Sequence, residues 1–216
     1  MSTYKGYPIN TGKNNQYEMI PKILEETYLR FEYMTQKLKQ CFLVRFDLHL
    51  PVTNTYQCPL DENRLVSEFF NRLIHKKLKP RCNRKPSTRK QISPAPRPKQ
   101  LGIHKHIQYL WVREVEKSKR AHYHCWILVD RHKMATAGSH LRRTGFYGIA
   151  CDLWNQVSKG GHLQGVKDNK AKYGLSIRNK LERDSAFYAI SYLAKKRGKG
   201  YRKGTSVRDY GGSKTP

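Results

Sequence analysis

The stretch at residues 110–130 places two runs of apolar residues on either side of a short polar segment at 117–120. Apolar runs of this length joined by a polar turn are typical of a β-hairpin. Successive side chains of a strand point to opposite faces, so His122 and His124 share one face of the second strand, with Tyr123 on the other. Glu114 and Glu116 likewise share a face of the first strand. The hairpin therefore sets two neighbouring strands around which a sheet must form.

The register of this hairpin decides whether its carboxylates meet its imidazoles. A loop of three or five residues places Glu114 beside His122 or His124, whereas a loop of four places it on the opposite face. One carboxylate and two converging imidazoles suit a divalent cation with coordination positions left open for a substrate. Glu116 is the alternative third ligand. Since most His-x-His pairs bind nothing, the hairpin alone does not establish a metal site.

A second pattern lies near the C-terminus, in a segment of helical composition. Tyr188 and Tyr192 are four residues apart, and Lys195 follows three residues later. Residues at these separations lie on one face of a helix. An aromatic stripe packed into the core would show the same spacing. The two patterns together favour a functional role more strongly than either does alone.

Together these patterns resemble the HUH superfamily of single-strand endonucleases, in which a His-hydrophobic-His strand precedes a helix with Tyr-x-x-x-Tyr-x-x-Lys. The wider sequence is similar to the inovirus-type replication proteins of prophages, the YagK/YfjJ C-terminal domain family. Segments 45–51, 122–126 and 188–195 carry the similarity, which spans about residues 20–197. The resemblance implies a ferredoxin-like or RRM-like HUH endonuclease core.

The resemblance also implies a metal-dependent enzyme that nicks and rejoins single-stranded DNA to initiate rolling-circle replication of a phage, prophage or plasmid. Tyr192 would attack a phosphodiester and keep the 5′ phosphate as a phosphotyrosine, and Tyr188 would attack in a second transfer. A phenol has a pKa of about 10 and attacks poorly at neutral pH. Mg²⁺ or Mn²⁺ held by His122, His124 and Glu114 would therefore assist by polarising the phosphoryl oxygen.

We expect Tyr192 rather than Tyr188 to attack first, because Lys195 lies one turn away and would contact the phosphate or lower the pKa of the phenol. The expected partner is single-stranded DNA at a replication origin. Nothing in the sequence resembles a P-loop, so a host helicase and a host polymerase are the other expected partners.

Two other functions compete with this interpretation. The first is a non-catalytic RRM-like module in which Trp111, Tyr123 and Trp126 stack on bases. The second is a relaxase or transposase, which shares the chemistry but serves another process. The short chain and the pair of tyrosines favour a replication initiator.

The charge of the chain supports a polyanionic partner. Its 43 Lys and Arg against 16 Asp and Glu give a formal net charge of +27. Such an imbalance is typical of nucleic-acid binding. Segment 76–99 is basic and contains no acidic residue, and the C-terminal segment is basic and rich in glycine. The residues expected to contact nucleic acid are Lys76, Lys77, Arg81, Arg84, Lys85, Lys196 and Arg197.

The chain of 216 residues can build one modest core. We expect an extended polar arm at 1–17, an endonuclease domain at 18–197 with a basic loop at 76–99, and a mobile basic tail at 198–216. The five cysteines form no Cys-x-x-Cys pair, which favours a reducing cytoplasm. The absence of a signal sequence or a long apolar span argues against a membrane.

The order of elements predicts an α+β fold with a mostly antiparallel central sheet flanked by helices. Residues 42–50 alternate as a strand, with Asp47 and His49 on its polar face, where they make hydrogen bonds or line the site. The tyrosine helix is expected to begin at Asp184 or Ser185 and to run to about Lys196. The other predicted helices cover 17–40, 61–78 and 146–157, and two further strands cover 162–166 and 173–177.

Overall fold

The computed structural model describes residues 2–52, 59–77, 106–115, 121–167, 173–199 and 208–214. The helices are α1 (Pro21–Lys37), α2 (Pro59–Arg72), α3 (Gly145–Ser158) and α4 (Lys180–Ser191). The strands are β1 (Thr3–Tyr4), β2 (Tyr7–Pro8), β3 (Cys41–His49), β4 (Ile107–Val115), β5 (Ala121–Asp130), β6 (His162–Gly165), β7 (Leu175–Ile177) and β8 (Tyr210–Gly212).

The central sheet has six antiparallel strands in the order β6-β3-β5-β4-β8, and β7 pairs with β3 beyond the end of β6. Helices α2 and α3 cover one face, and α1 and α4 cover part of the other. The predicted α+β class with a mostly antiparallel sheet is confirmed. Among the described residues, no helix has both the length and the apolar character needed to cross a membrane.

Strand β3 shows why the sheet has two apolar faces. Phe42, Val44, Phe46 and Leu48 belong to the cluster under α2 and α3, while Leu43 belongs to the cluster under α1 and α4. The predicted alternation of this strand is therefore confirmed. Beyond Leu43, the second face carries polar side chains, because α1 and α4 do not cover that end of β3.

The hairpin of β4 and β5 takes the register that the metal hypothesis requires. Val115 pairs with Ala121, so five residues separate the paired strands, and Glu114 lies directly opposite His122. This agrees with the prediction for a loop of three or five residues. Glu116, the alternative ligand, lies outside the described residues.

The tyrosine helix begins earlier than predicted. Its N-cap is Asn179, whose Oδ1 accepts a hydrogen bond of 3.0 Å from the backbone N–H of Glu182, so neither Asp184 nor Ser185 is the cap. The α-helix ends at Ser191, and residues Tyr192–Ala194 form a 3₁₀ turn. The polar first turns of α4 lack an apolar stripe, and periodicity therefore missed them.

Described residues of both terminal segments contact the rest of the fold. The N-terminal segment forms the β1–β2 hairpin instead of an extended arm, and the Tyr7 ring lies 5.6 Å from that of Phe31 and 4.7 Å from that of Phe187. In the C-terminal segment, β8 pairs with β4, and the side chain of Lys199 is buried. Each segment is held by partners that only the folded chain supplies.

Phe187→Ala is expected to lower the free energy of unfolding by about 3–5 kcal/mol, because the ring is fully buried and joins α4 to α1 and to the N-terminal hairpin. Urea denaturation followed by circular dichroism measures the change. Leu181→Ala on the same helix is the control, since Leu181 is 79% exposed and is expected to change stability by no more than about 0.5 kcal/mol. Equal effects of the two substitutions would contradict this packing.

Candidate metal centre

The strand register places ionisable side chains in two rows across one face of the sheet. Glu114, His122, His49 and His162 are successive partners across β4, β5, β3 and β6. In the next row, His124 on β5 is the partner of Asp47 on β3. Side chains two residues apart on a strand share a face, so the two rows are adjacent.

Glu114, His122 and His124, called the triad below, bring their ligand atoms together. One ligand atom from each lies within 4.8 Å of the other two. His122 Nε2 lies 3.2 Å from His124 Nε2, and Glu114 Oε2 lies 3.2 Å from the same nitrogen. This is the carboxylate and imidazole set predicted from the hairpin.

The environment of Glu114 fits a bound cation. The residue is fully buried, and its Oε2 atom lies 3.2 Å from both His124 Nε2 and Lys195 Nζ, so positive charge already gathers around this oxygen. A buried carboxylate oxygen is costly unless it is paired or coordinates a metal. The triad therefore fits a divalent cation held by one carboxylate and two imidazoles.

Asp47 orients one of the imidazoles. His124 Nδ1 donates a hydrogen bond of 2.7 Å to Asp47 Oδ1, which leaves Nε2 directed at Glu114 and His122. Metal-binding histidines commonly donate their second ring N–H to a carboxylate, which fixes the tautomer and makes the ligand more basic. The polar face of β3 thus contributes to the site through Asp47.

The acidic groups of the site attract positive charge. Burial disfavours a charged imidazole, but the hydrogen bonds to Asp47 and Glu114 outweigh burial and raise the pKa of His124 to about 9. Burial also disfavours ionised Glu114, yet His124 and Lys199 lower the pKa of this carboxyl to about 2. A divalent cation would supply the positive charge that the proton on His124 otherwise provides.

Two lysines connect the triad to the C-terminal part of the chain. Lys195 Nζ lies 3.2 Å from Glu114 Oε2, and Lys199 Nζ lies 2.6 Å from Glu114 Oε1. The pKa of Lys199 is lowered by burial, which the charge of Glu114 partly opposes. Lys199 was missed from the sequence because nothing local distinguishes it from the other lysines of a segment predicted to be mobile.

The tyrosine predicted to attack first lies at this site. Lys195 Nζ donates a hydrogen bond of 2.8 Å to Tyr192 Oη, and the Tyr17 ring packs against the Tyr192 ring at 5.7 Å. Three contacts of 3.2 Å or less thus connect Tyr192 to His124 through Lys195 and Glu114.

Tyr188 occupies a different position. It is partly buried on α4, one turn before Tyr192. Among the residues that the structure describes, no hydrogen bond or ring contact joins the Tyr188 side chain to the triad. The structure therefore brings together Tyr192, Lys195 and the triad, but leaves Tyr188 outside this set of contacts.

His49 lies beside the triad without joining it. Its ring stacks on that of His162 with 4.4 Å between centroids, and its centroid lies 5.7 Å from that of His122. Burial and the neighbouring His162 lower the pKa of His49 to about 4. The strand periodicity placed His49 on this face, but its stacking partner on β6 is decided by strand order.

The predicted nucleic-acid contacts are only partly described. Lys196 and Arg197 are exposed, and Lys196 Nζ lies 2.8 Å from Glu18 Oε1. The other five predicted contacts cannot be placed, since they lie outside the described residues or have side chains outside them: Lys76, Lys77, Arg81, Arg84 and Lys85.

The prediction that Trp111, Tyr123 and Trp126 stack on bases is wrong. Tyr123 and Trp126 are fully buried, and Trp111 is 5% exposed. Trp111 and Tyr123 pack in the cluster under α2 and α3, and Trp126 packs in the cluster under α1 and α4. These rings stabilise the two cores and are not available for stacking on bases.

The sequence model of the YagK/YfjJ C-terminal domain matches residues 2–213. The chain therefore belongs to the YagK/YfjJ C-terminal domain family. Comparison with the curated proteins and with the solved structures gave no match.

Asp47→Asn is expected to weaken Mn²⁺ binding by about 10–100-fold, because the amide no longer provides the charged acceptor that orients His124. Isothermal titration calorimetry on the metal-free protein measures the affinity. Gln164→Ala is the matched control, since Gln164 is exposed and is the partner of Asp47 on β6. Unchanged affinity in Asp47→Asn would show that this hydrogen bond does not support a metal ligand.

Proposed function

We propose that this protein is a metal-dependent enzyme of the HUH type that nicks and rejoins single-stranded DNA through a 5′-phosphotyrosine intermediate. Its biological role in this proposal is to initiate rolling-circle replication of a phage, prophage or plasmid, as inovirus-type replication proteins do. The observation that carries the proposal is the set of contacts from Tyr192 through Lys195 to Glu114 of the triad.

The proposed reaction exchanges one phosphodiester for another, so the energy of the broken DNA bond is kept in the bond to the tyrosine. The oxygen of Tyr192 attacks the phosphorus, the bond to the 3′ oxygen breaks, and the departing oxygen takes a proton to become a 3′ hydroxyl. The 5′ phosphate stays on the tyrosine as a phosphodiester. Attack by a DNA 3′ hydroxyl on this phosphotyrosine re-forms a DNA phosphodiester and releases Tyr192, so ATP is not needed. In the second transfer, Tyr188 would attack another DNA phosphodiester and release the 3′ hydroxyl that makes this attack.

Residues around Tyr192 supply charge where the reaction needs it. The Lys195 ammonium donates to the phenol oxygen and would stabilise the phenolate as it forms. Burial disfavours the charged form of Lys195, but its contacts with Tyr192 and Glu114 outweigh burial and raise its pKa, so the ammonium persists at neutral pH. A divalent cation held by the triad would polarise the scissile phosphate and stabilise its developing charge.

Tyr192→Phe is expected to abolish formation of a covalent adduct, since the substitution removes the attacking oxygen but keeps the ring that packs on Tyr17. The measurement is denaturing electrophoresis after incubation of the protein with labelled single-stranded oligonucleotides and Mn²⁺. Persistence of the adduct in Tyr192→Phe would eliminate Tyr192 as the first nucleophile.

Tyr188→Phe is the matched control within the same experiment. We expect this variant to form the first adduct at the wild-type level and to lose only the second transfer that rejoins the strand. An adduct lost in Tyr188→Phe and kept in Tyr192→Phe would reverse the assignment of the two tyrosines. No adduct from the wild-type protein with any single-stranded substrate would argue for a binding function instead.

His122→Ala and His124→Ala are each expected to reduce nicking at least about 100-fold while single-stranded DNA binding persists, because the cation assists the chemistry more than the binding. Nicking and fluorescence anisotropy on the same oligonucleotide separate the two effects. Glu114→Gln is expected to behave like the histidine variants, and Glu116→Gln is its control. A greater loss in Glu116→Gln would assign the third ligand to Glu116.

A further inference from the structure

A small pocket opens beside β3, between the strands β6 and β7 that pair with it. Among the described residues that line it, two are cationic and none is acidic. The lining residues are Leu43, Arg45, Val166, Lys167, Gly174 and Leu175.

Arg45 places this pocket next to the proposed site of cleavage. It lies on the same face of β3 as Asp47 and two residues away, which corresponds to roughly 7 Å along a strand. Burial lowers the pKa of Arg45, whereas Asp47, Tyr147 and Tyr192 raise it through their charges. The guanidinium therefore lies within electrostatic reach of both the tyrosine nucleophile and the carboxylate that orients His124.

The Arg45 guanidinium has unused donor capacity. Its Nε atom is buried and makes no hydrogen bond. A buried donor without an acceptor costs free energy, and an anion that enters the pocket would remove this cost. Guanidinium groups match phosphate oxygens particularly well, since they present several N–H donors in one plane.

The second cation of the pocket is Lys167. At the rim, the exposed Lys167 holds its Nζ 5.4 Å from the centroid of the Tyr173 ring. The Arg45 guanidinium, with its buried Nε, and the exposed Lys167 ammonium form a site for a compact anion that both side chains contact.

We propose that this pocket binds one backbone phosphate of single-stranded DNA, next to the phosphate that Tyr192 attacks, with Arg45 and Lys167 as its contacts. The position of the pocket relative to the cut rests on the proposed function. The DNA strand would then cross the sheet face from the triad to the edge where β6 and β7 meet β3. Phosphate contacts of this kind set the register of a strand and carry no sequence information.

The test measures how the affinity for fluorescein-labelled (dT)₂₀ depends on KCl concentration, in EDTA, by fluorescence anisotropy. Each phosphate neutralised on a single strand contributes about −0.7 to the slope of log K against log salt. Arg45→Gln is expected to reduce the magnitude of the slope by about 0.7. The double variant Arg45→Gln/Lys167→Gln should reduce the slope no further, because the two cations hold the same phosphate and that contact can be lost only once. A reduction of about 1.4 would indicate two separate phosphate contacts and would overturn the shared site.

Two controls separate the pocket from general loss of charge or of structure. Lys133→Gln removes an exposed cation just beyond the last residue of β5, at the end of this strand that is far from the triad, and should leave the slope unchanged. Arg45→Lys keeps the charge and should keep the slope. Lys167→Gln alone alters an exposed side chain, so a reduced slope there tests the pocket even if Arg45→Gln fails to fold. The proposal would be refuted if Lys133→Gln and Arg45→Gln reduced the slope equally. It would also be refuted if neither Arg45→Gln nor Lys167→Gln reduced the slope.

The salt slope and the covalent adduct report separately on the phosphate pocket and on the nicking reaction. A reduced slope in Arg45→Gln together with no covalent adduct from the wild-type protein would retain the phosphate pocket and reject the nicking reaction. A covalent adduct together with unchanged slopes would retain the nicking reaction and reject the pocket.

Discussion

The buried carboxylate of Glu114 is the interaction on which the arrangement of the site depends. Cationic groups from three parts of the chain surround it: His124 of β5, Lys195 beyond α4, and Lys199 near the C-terminal strand. A buried anion is costly unless such partners compensate its charge. The backbone reinforces the arrangement, since the N–H of Val115 donates to the carbonyl of Gly198 at 2.9 Å. Compensation of one charge thus fixes the end of the tyrosine helix against the central hairpin.

The two faces of the sheet divide structure from chemistry. The face under α2 and α3 is apolar along the whole of β3 and holds buried aromatic rings from both helices. The opposite face is apolar only where α1 and α4 cover it, and its uncovered end carries Asp47, His49 and the imidazoles of β5. The apolar face packs the sheet against α2 and α3, and the polar side chains extend from the other face of the same strands. This is the arrangement expected of a preorganised site.

Family membership and chemistry have different support. The chain belongs to the YagK/YfjJ C-terminal domain family, and the triad is suited to a divalent cation. The DNA-nicking reaction is a proposal, and three features on one sheet face agree with it: the triad, the Tyr192 phenol and the cationic pocket at Arg45. The net charge of +27 favours a polyanionic substrate in the same way. The burial of Tyr123 and Trp126 means that DNA binding, in this proposal, relies on phosphate contacts more than on these rings.

The sequence by itself determined which face of a strand or helix each side chain occupies, because this depends only on residues close together in the chain. Period-two alternation placed His122 and His124 on one face, and helical spacing placed Lys195 beside Tyr192. Only the tertiary structure decided the pairing of Asp47 with His124 and the burial of Lys199 against Glu114. Alternation specifies which face a side chain occupies, but strand order and loop length decide which distant residue it meets there. Contacts across strands and from the C-terminal segment arise from the packing of the whole chain, and local patterns do not encode them.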